Sequence, residues 1–372
     1  MKSITLAAAA AAAVLSASPA LALPRSTLRV SNDVAINAAT ASSKVKFAGL
    51  NIAGFDFGCG TDGTCTQTAQ NATDPMAVSD AQGQMDHFVN DDGLNAFRLP
   101  VGWQYLVGHQ LGGDLDAANA AKYDALVQGC LTSGAELCII DVHNYARWNG
   151  QIIGQGGPTN EQFASLWKQL ATKYAANAKV AFGVMNEPHD VPDVSVWAAT
   201  VQAVVTAIRE AGATSQYVLL PGNGWTSAAS FVSDGSAAAL SNVTNPDGST
   251  DGLIFDVHKY SDSDNSGTHT ECTTNNIDDA FSPLADWLRE NNRLAINTES
   301  GGGNTDSCEK LYCEQIEFLN KNADVFLGYT AWSAGGFGET YELVQTPIKN
   351  SNGSYTDRPL TKKCTVGAWK SA

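Results

Sequence analysis

Residues 180–188 read VAFGVMNEP, an apolar run that ends in Asn186 and Glu187 and is stopped by a proline. A run that is apolar at nearly every position is typical of a parallel strand buried on both faces. The same pattern, a short apolar run followed by polar residues, recurs along the chain. The eight predicted strands are Val45–Gly54, Ala96–Gly102, Leu137–Asn144, Val180–Glu187, Tyr217–Asn223, Leu253–Tyr260, Arg293–Ser300 and Val325–Gly335.

Amphipathic helices are predicted between these strands. Apolar residues recur at helical spacing in three stripes, and Thr159 and Gln162 form a capping box before the second of them. We expect the aromatic residues of the stripes to be core packing. The stripes are Tyr123, Leu126, Val127, Cys130 and Leu131; Phe163, Leu166, Trp167, Leu170 and Tyr174; and Trp197, Val201, Val204, Val205 and Ile208.

Eight strands that alternate with helices predict an α/β fold, a single (β/α)₈ TIM barrel over residues 44–372. A doubly wound open sheet is the alternative. That fold usually places a Gly-x-Gly-x-x-Gly turn after its first strand, whereas this strand ends in Gly54-Phe55-Asp56-Phe57.

The amino terminus has the pattern of a secretory signal. Lys2 precedes an apolar run, and Ala20-Leu21-Ala22 is a small-x-small cleavage pattern. We therefore expect a signal peptide over residues 1–22, a propeptide or flexible lead-in over residues 23–43, and a secreted, extracellular product. The apolar run is too short to span a bilayer.

Charge and cysteine content agree with export. The formal net charge of −16 disfavours nucleic acid and anionic membranes as partners, and we expect a monomer. Eight cysteines suit an oxidising compartment and could form four disulfides, of which short separation favours Cys59–Cys65 and Cys130–Cys138. The remaining connectivity is open. Asn71, Asn242 and Asn352 lie in Asn-x-Ser/Thr glycosylation sequences.

Polar residues gather at the carboxyl-terminal ends of the predicted strands, which form the face where barrel active sites are built. Two of them are glutamates, Glu187 at strand four and Glu299 at strand seven. Retaining glycoside hydrolysis needs two such carboxylates about 5–5.5 Å apart, one as nucleophile and one as acid and base. The other strand-end candidates are Arg98, His143, Asn144, Asn186, His258, Tyr260 and Trp332.

Several of these residues could support the two glutamates. Arg98 can keep the nucleophile ionised, and Asn186 can bind a sugar 2-hydroxyl. His258 and Tyr260 point to the same side of their strand and could reach the acid and the nucleophile respectively. Trp332 can stack on a pyranose ring, with Trp148 and Trp225 extending that platform.

Other chemistries have less support. His143 and His258 could bind a metal together with an aspartate, but no His-x-His or His-Glu-x-x-His pair occurs, so we predict no metal and no cofactor. Gly-x-Ser-x-Gly is absent, which argues against a serine hydrolase. We interpret His189 and Asp190 as loop-structuring, and His87 and His109 as surface or packing residues without an evident partner.

The motifs resemble glycoside hydrolase family 5, specifically its secreted fungal endo-β-1,4-glucanases, from about Lys44 to Cys364. The Asn-Glu-Pro signature at 186–188 lies within the stretch 182–190, FGVMNEPHD. The other matching stretches, in chain order, are FRLP at 97–100, DVHNY at 141–145, DVHKY at 256–260, Thr298-Glu299 and YTAW at 329–332.

This resemblance implies a (β/α)₈ barrel, retention of configuration, no cofactor and a β-1,4-glucan substrate. It makes Glu187 the acid/base and Glu299 the nucleophile, and it places Arg98, His143, Asn186, His258, Tyr260 and Trp332 in the remaining family positions. It also implies sequential disulfides, which adds Cys272–Cys308 and Cys313–Cys364. The alternatives are a sibling activity, β-mannanase or xyloglucanase, and a carbohydrate-binding barrel that has lost catalysis.

Overall fold

A computed structural model describes residues 44–372, so the predicted signal peptide and lead-in at residues 1–43 lie outside the described residues. Eight parallel strands form a closed barrel in which each strand pairs with the next and the last pairs with the first. The predicted barrel is confirmed. Its strands are β1 (Phe47–Ala53), β2 (Ala96–Val101), β3 (Leu137–Val142), β4 (Val180–Gly183), β5 (Val218–Pro221), β6 (Leu253–His258), β7 (Ala295–Glu299) and β8 (Phe326–Gly335).

Most predicted strands extend too far at their carboxyl ends. The run 180–187 was predicted as strand throughout, but the ladder of β4 ends at Gly183 and the backbone then turns, with Glu187 at φ 38°. A non-glycine residue with positive φ costs on the order of 1 kcal/mol or more and is common at functional sites. Glu187 has therefore left the ladder of β4, whereas Glu299 is still the last residue of β7.

Helices surround the barrel, and the three predicted stripes lie on α4, α5 and α6. Most residues of the stripes are buried, with Leu131 partly exposed. Both halves of the Thr159–Gln162 capping box are formed. The helices are α1 (Pro75–Val78), α2 (Ala81–Asn90), α3 (Trp103–Leu106), α4 (Ala117–Thr132), α5 (Asn160–Tyr174), α6 (Val194–Glu210), α7 (Ser236–Leu240), α8 (Ser282–Glu290), α9 (Asp306–Lys321) and α10 (Gly367–Ser371).

The barrel interior contains two layers of side chains, one apolar and one polar. Eight buried apolar side chains from seven strands form their own cluster, apart from the larger core between strands and helices. Beyond this layer the inward-facing residues are polar, and they lie where β2, β3, β6 and β7 end. The apolar cluster consists of Phe47, Ala96, Leu137, Ile139, Ala181, Leu219, Ile254 and Ile296.

All eight cysteines are paired. The bonds are Cys59–Cys65, Cys130–Cys138, Cys272–Cys308 and Cys313–Cys364, the same four that the resemblance implies. The three candidate glycosylation residues, Asn71, Asn242 and Asn352, are exposed. Within residues 44–372, no helix combines the length and apolarity needed to cross a membrane.

Two histidines have partners that the sequence did not reveal. His87 is buried, with Nδ1 2.7 Å from Asp91 Oδ2 and Nε2 2.9 Å from Asp357 Oδ1. His109 Nε2 contacts the carbonyl oxygen of Gln67. His87 is thus a packing residue and His109 a surface residue, in line with the prediction, and their partners Asp357 and Gln67 were not evident because the fold brings them in over long sequence separations.

The approach of β1 to β2 gives a test of the barrel itself. A Cβ at Gly49 would lie 1.6 Å from the carbonyl oxygen of Ala96, which belongs to a paired strand and cannot move aside. We expect Gly49→Ala to lower the free energy of unfolding by more than about 3 kcal/mol. Gly338→Ala, where a Cβ meets nothing within 4 Å, should change it by less than about 0.5 kcal/mol. Denaturant unfolding measures both, and equal effects would contradict the close approach.

Candidate active site

The barrel mouth opens into a cavity of about 710 Å³. Its walls include seven of the residues predicted from the sequence. Arg98 and His258 lie beneath this surface and are almost fully buried. The predicted residues that line the cavity are His143, Asn186, Glu187, Trp225, Tyr260, Glu299 and Trp332.

Glu299 ends β7 and is held by two donors. Arg98 Nη1 donates to Oε1, and the Tyr260 hydroxyl donates to Oε2 at 2.7 Å. Burial alone would raise the pKa of this carboxyl, but His258, Arg98 and His143, together with the Tyr260 hydroxyl, lower it from 4.5 to about 2. Glu299 is therefore an ionised, oriented carboxylate at neutral pH.

Arg98 lies beneath Glu299 and contacts several strand ends at once. Its guanidinium donates to Asn51 Oδ1 at 3.0 Å and to Asn186 Oδ1 at 2.7 Å, and it pairs with Asp141 at 3.0 Å. These partners lie on β1, after β4 and on β3, so one side chain connects much of the barrel mouth. A planar guanidinium suits this task because its donors have fixed directions.

Glu187 has a different environment. It lies in the segment after β4. The backbone N–H of Asn186 donates to the backbone carbonyl of Val142 at 2.8 Å and so anchors this segment to β3. Its Oε1 is 2.7 Å from His258 Nδ1, and its side chain is 15% exposed, against 5% for Glu299. One oxygen of each glutamate and a His258 nitrogen lie within 4.8 Å of one another. Two carboxylates thus face the same small space in unlike surroundings.

His143 and Asn186 form one further unit. His143 Nδ1 is 2.8 Å from Asp141 Oδ2, and its Nε2 is 3.1 Å from Asn186 Nδ2. Because Asn186 Oδ1 accepts from Arg98, the amide nitrogen must face His143 and donate to it. Asn186 is therefore oriented from two sides at the cavity wall.

Two tryptophans provide flat apolar surfaces in the cavity. Trp332 lies nearly parallel to the His143 ring and donates from Nε1 to the Tyr341 hydroxyl at 2.8 Å. Trp225 is 41% exposed and stacks on His189 with ring centroids 3.9 Å apart. His189 in turn contacts Asp190 and the Thr61 carbonyl, so it structures this loop as predicted.

Two predicted site residues lie elsewhere. Trp148 is only 8% exposed and packs edge-on against Trp103 in the core, so the prediction that it extends the sugar platform is wrong. Asn144 is fully buried. Its Oδ1 accepts from the Trp103 amide, and its Nδ2 donates to Gln104 Oε1 at 2.6 Å, so it organises the start of α3 instead of facing the cavity.

Other functional residues were missed. Asp141 lies near the end of β3, two residues before His143, and Asp256 lies on β6, two residues before His258, so this repeated Asp-x-His spacing was the available signal. Tyr145 and Tyr341 line the cavity from irregular segments after β3 and β8. Such segments have no periodicity, so neither tyrosine gave a signal.

The predicted alternative of a metal between His143 and His258 does not match the contacts. Both ring nitrogens of each histidine are engaged, on Asp141 and Asn186 for the first and on Glu187 and Thr298 for the second. Glu187, His258 and Glu299 are close enough together to approach one ion. However, Arg98 and Tyr260 already donate hydrogen bonds to Glu299. Carboxylates and a histidine held by hydrogen bonds in this way are better suited to proton transfer than to binding a metal ion.

A (β/α)₈ barrel with two adjacent but unlike glutamates at its mouth defines the class, a barrel glycoside hydrolase. The family model "Cellulase (glycosyl hydrolase family 5)" matches residues 51–335. The chain belongs to this family.

Individual relatives agree. The chain is 66% identical to endoglucanase EG-II of Hypocrea jecorina over 328 residues, which cover 87% of this chain and 78% of that protein. It superposes with a TM-score of 0.84 on the crystal structure of Cel5A (EG2) from Hypocrea jecorina (Trichoderma reesei), at 65% identity and covering 87% of this chain and 98% of the other. XacCel5A in complex with cellopentaose has a TM-score of 0.76 at 29% identity, covering 87% and 99% of the two chains.

The Tyr260 contact predicts how Glu299 titrates. Tyr260→Phe removes a hydroxyl that donates to the carboxylate, so the pKa of Glu299 should rise by about one unit. A ¹³C NMR titration of labelled glutamate carboxyls measures it, with Glu299→Gln assigning the signal. Folding lowers the pKa of Glu299 from 4.5 to about 2. The stability that the ionised carboxylate contributes is therefore present above about pH 4.5 and is lost as the pH falls toward 2. Tyr260→Phe should lose part of the stability that ionised Glu299 contributes.

Tyr145→Phe is the matched control for this titration. The Tyr145 hydroxyl faces His143 Nε2 at 3.4 Å and is not one of the two groups that donate to Glu299. Its loss should leave the Glu299 titration almost unchanged. Equal shifts in the two variants would show that the Tyr260 hydrogen bond does not set this pKa.

Proposed function

We propose that this chain is a retaining endo-β-1,4-glucanase that hydrolyses internal bonds of cellulose and soluble β-glucans. The observation that carries the proposal is the pair of glutamates with oxygens within 4.8 Å of each other. Retaining glycosidases hold their carboxyl groups about 5–5.5 Å apart, whereas inverting ones leave about 6.5–9.5 Å for a water molecule. The substrate class is supported by the endoglucanase relatives and by the cellopentaose bound to XacCel5A.

The unlike surroundings assign the two roles. Glu299 accepts from Arg98 and Tyr260 and is ionised, which suits a nucleophile. Glu187 is more exposed and shares a hydrogen bond with His258, which suits a group that must gain and lose a proton in each turnover.

The reaction follows in two steps. Glu299 attacks the anomeric carbon while Glu187 donates its proton to the glycosidic oxygen, so the bond to the leaving chain breaks as the glycosyl ester forms. The Glu187 carboxylate then takes a proton from water, the resulting hydroxide equivalent attacks the same carbon, and the ester bond to Glu299 breaks. The configuration is inverted twice and therefore retained, and no step requires a cofactor.

Neighbouring residues would bind the sugar chain. Trp332 and Trp225 present flat surfaces on which pyranose rings can stack. The Asn186 amide, held by Arg98 and His143, lies beside the glutamates, where it can reach a 2-hydroxyl. Arg98 and His258 act through the carboxylates that they contact.

The cellular setting belongs to the same proposal. Four disulfides and the signal-like residues 1–22 support secretion as an extracellular enzyme, with the catalytic domain over residues 44–372. Glycosylation at Asn71, Asn242 and Asn352 is consistent with their exposure. We propose that the enzyme acts as a monomer on its β-1,4-glucan substrate.

The two glutamates give the decisive test. Glu299→Gln should lower turnover of carboxymethylcellulose more than about 10³-fold while sugar binding persists. Glu187→Ala should lose about 10²–10⁴-fold on cello-oligosaccharides but much less on aryl cellobiosides with good leaving groups, which need little protonation. Activity within a few-fold of wild type for Glu299→Gln would refute the nucleophile and favour a binding barrel. Wild-type rates on β-glucan, mannan and xyloglucan separate the sibling activities.

The two loop tryptophans provide a matched pair. Trp225→Ala should weaken binding of a cello-oligosaccharide about five- to tenfold, because one stacking surface is lost, with less than about 1 kcal/mol of lost stability. Trp148→Ala should lower the free energy of unfolding by about 3–5 kcal/mol, because its ring is buried against Trp103. Calorimetric binding and denaturant unfolding distinguish them. The reverse pattern would show that the two rings have been assigned the wrong roles.

A further inference from the structure

His87 is a buried histidine among carboxylates, at the end of the barrel opposite the mouth. It lies in the last turn of α2, the helix that leads into β2, and therefore near the point where that strand begins. Its Nε2 lies 2.9 Å from Asp357 Oδ1 and 3.4 Å from Asp92 Oδ2. All three side chains are buried or nearly so, and none of them lines the cavity at the barrel mouth. The proposed hydrolysis therefore does not explain this cluster.

One oxygen of the cluster has no protein partner. Asp92 is 6% exposed, and its Oδ2 accepts no hydrogen bond from any residue of 44–372. His87 does not supply one, because its Nε2 is directed at Asp357 and its Nδ1 lies 2.7 Å from Asp91 Oδ2. A buried carboxylate oxygen without a partner is costly. This oxygen, which faces His87 and Asp357, points to a partner from outside the polypeptide.

The charges of the cluster are also out of balance. Three carboxylates, on Asp91, Asp92 and Asp357, face one imidazole and the ammonium of Lys370, whose Nζ lies 3.4 Å from Asp92 Oδ1. With His87 protonated, one negative charge remains in excess, and the carboxyl end of α2 adds a partial negative charge. A divalent cation that takes the place of the Nε2 proton balances the three carboxylates.

The free oxygen and its neighbours are spaced as metal ligands are. Bonds of about 2.0–2.2 Å to nitrogen and oxygen place neighbouring ligand atoms roughly 3.0–3.5 Å apart. The two separations from His87 Nε2 are close to this range, and all three ligand atoms lie within 4.8 Å of one another. Asp91 completes the pattern, because a metal-binding histidine usually donates its other N–H to a carboxylate.

We propose that His87 Nε2, Asp92 Oδ2 and Asp357 Oδ1 bind one divalent transition-metal ion, of which Zn²⁺ is the simplest example. An imidazole ligand favours such an ion over Ca²⁺ and Mg²⁺, which prefer oxygen ligands alone. The ion ties α2 to a segment 270 residues later in the chain, so its role is structural and hydrolysis does not use it. That separation is also the reason why no sequence motif indicated the site.

A zinc titration of wild-type protein treated with a chelator tests the site. One equivalent of Zn²⁺ should bind with a Kd of about 1 µM or tighter, measured by calorimetry. Free Zn²⁺ at about 100 times this Kd should raise Tm by about 4–6 °C, because the ion binds the folded chain. Ca²⁺ or Mg²⁺ at the same concentration should raise Tm by less than about 1 °C.

Two asparagine variants locate the ion. Asp92→Asn keeps the side-chain shape and removes one ligand charge, so Zn²⁺ should bind at least about 100-fold more weakly and the shift in Tm should disappear. Without metal, this variant should melt no lower than wild type, since a buried charge without a hydrogen bond has gone. Asp91→Asn removes the carboxylate on Nδ1 and should weaken Zn²⁺ binding about tenfold.

Two further variants test the other places where this chain groups a histidine with carboxylates. His269→Gln changes the exposed histidine that lies 3.0 Å from Asp262 and 3.4 Å from Asp264. Glu299→Gln changes the barrel mouth, where a histidine and two glutamates lie close together. Both variants should bind the single equivalent of Zn²⁺ as wild type does.

The result is read from metal binding and melting, so it stands apart from the proposed hydrolysis. Wild type that binds no stoichiometric Zn²⁺, or Asp92→Asn that binds it undiminished, overturns the proposal. Loss of the equivalent in His269→Gln or Glu299→Gln, or Ca²⁺ bound as tightly as Zn²⁺, overturns it too. If Asp92→Asn does not fold, anomalous scattering from wild-type crystals grown with Zn²⁺ decides. A peak bonded to His87 Nε2 supports the site, and a peak only elsewhere, or none, refutes it.

Discussion

The buried guanidinium of Arg98 is the interaction on which the barrel mouth depends. A charge removed from water is costly unless it is paired and hydrogen-bonded, and here Asp141 and Glu299 pair with it while Asn51 and Asn186 accept from it. Burial by itself would lower the pKa of Arg98, but the two carboxylates raise it, so the charge persists. Loss of either carboxylate would leave a buried charge unbalanced, so Glu299 and the strand ends are positioned by the same contacts.

The two glutamates beside Arg98 differ in their surroundings. Glu299 lies on the ladder of β7, where Arg98 and Tyr260 satisfy its oxygens and keep it ionised. Glu187 lies past the end of β4, on a backbone with positive φ, and meets a histidine that can take or give a proton. The two glutamates can play unlike roles because one lies on the ladder of β7 and the other in the loop that follows β4.

The parts predicted from sequence are those with a local physical signature. Apolar runs predicted all eight strands, and helical spacing predicted the buried stripes, because burial constrains every residue of such elements. Asn144 and Trp148 were placed in the site only because they follow a strand, and nothing local distinguishes a loop tryptophan that packs inward from Trp225, which does not. The partners of His87 and the role of Tyr341 depend on contacts between distant segments, which no local pattern records.

The contrast between paired strands and loops also separates the residues proposed for the reaction from those that would choose the substrate. The groups to which the proposed chemistry assigns a part, Glu299, Arg98 and His258, lie on paired strands, where one residue of displacement would break several hydrogen bonds at once. The surfaces that would meet the sugar chain beyond the scissile bond come from loops, including Trp225 and Tyr341. Loops tolerate change that a closed ladder does not. Substitutions in these loops can therefore change which β-linked polysaccharide binds while the hydrolytic groups stay in place, because the two properties depend on parts of the chain under unequal constraint.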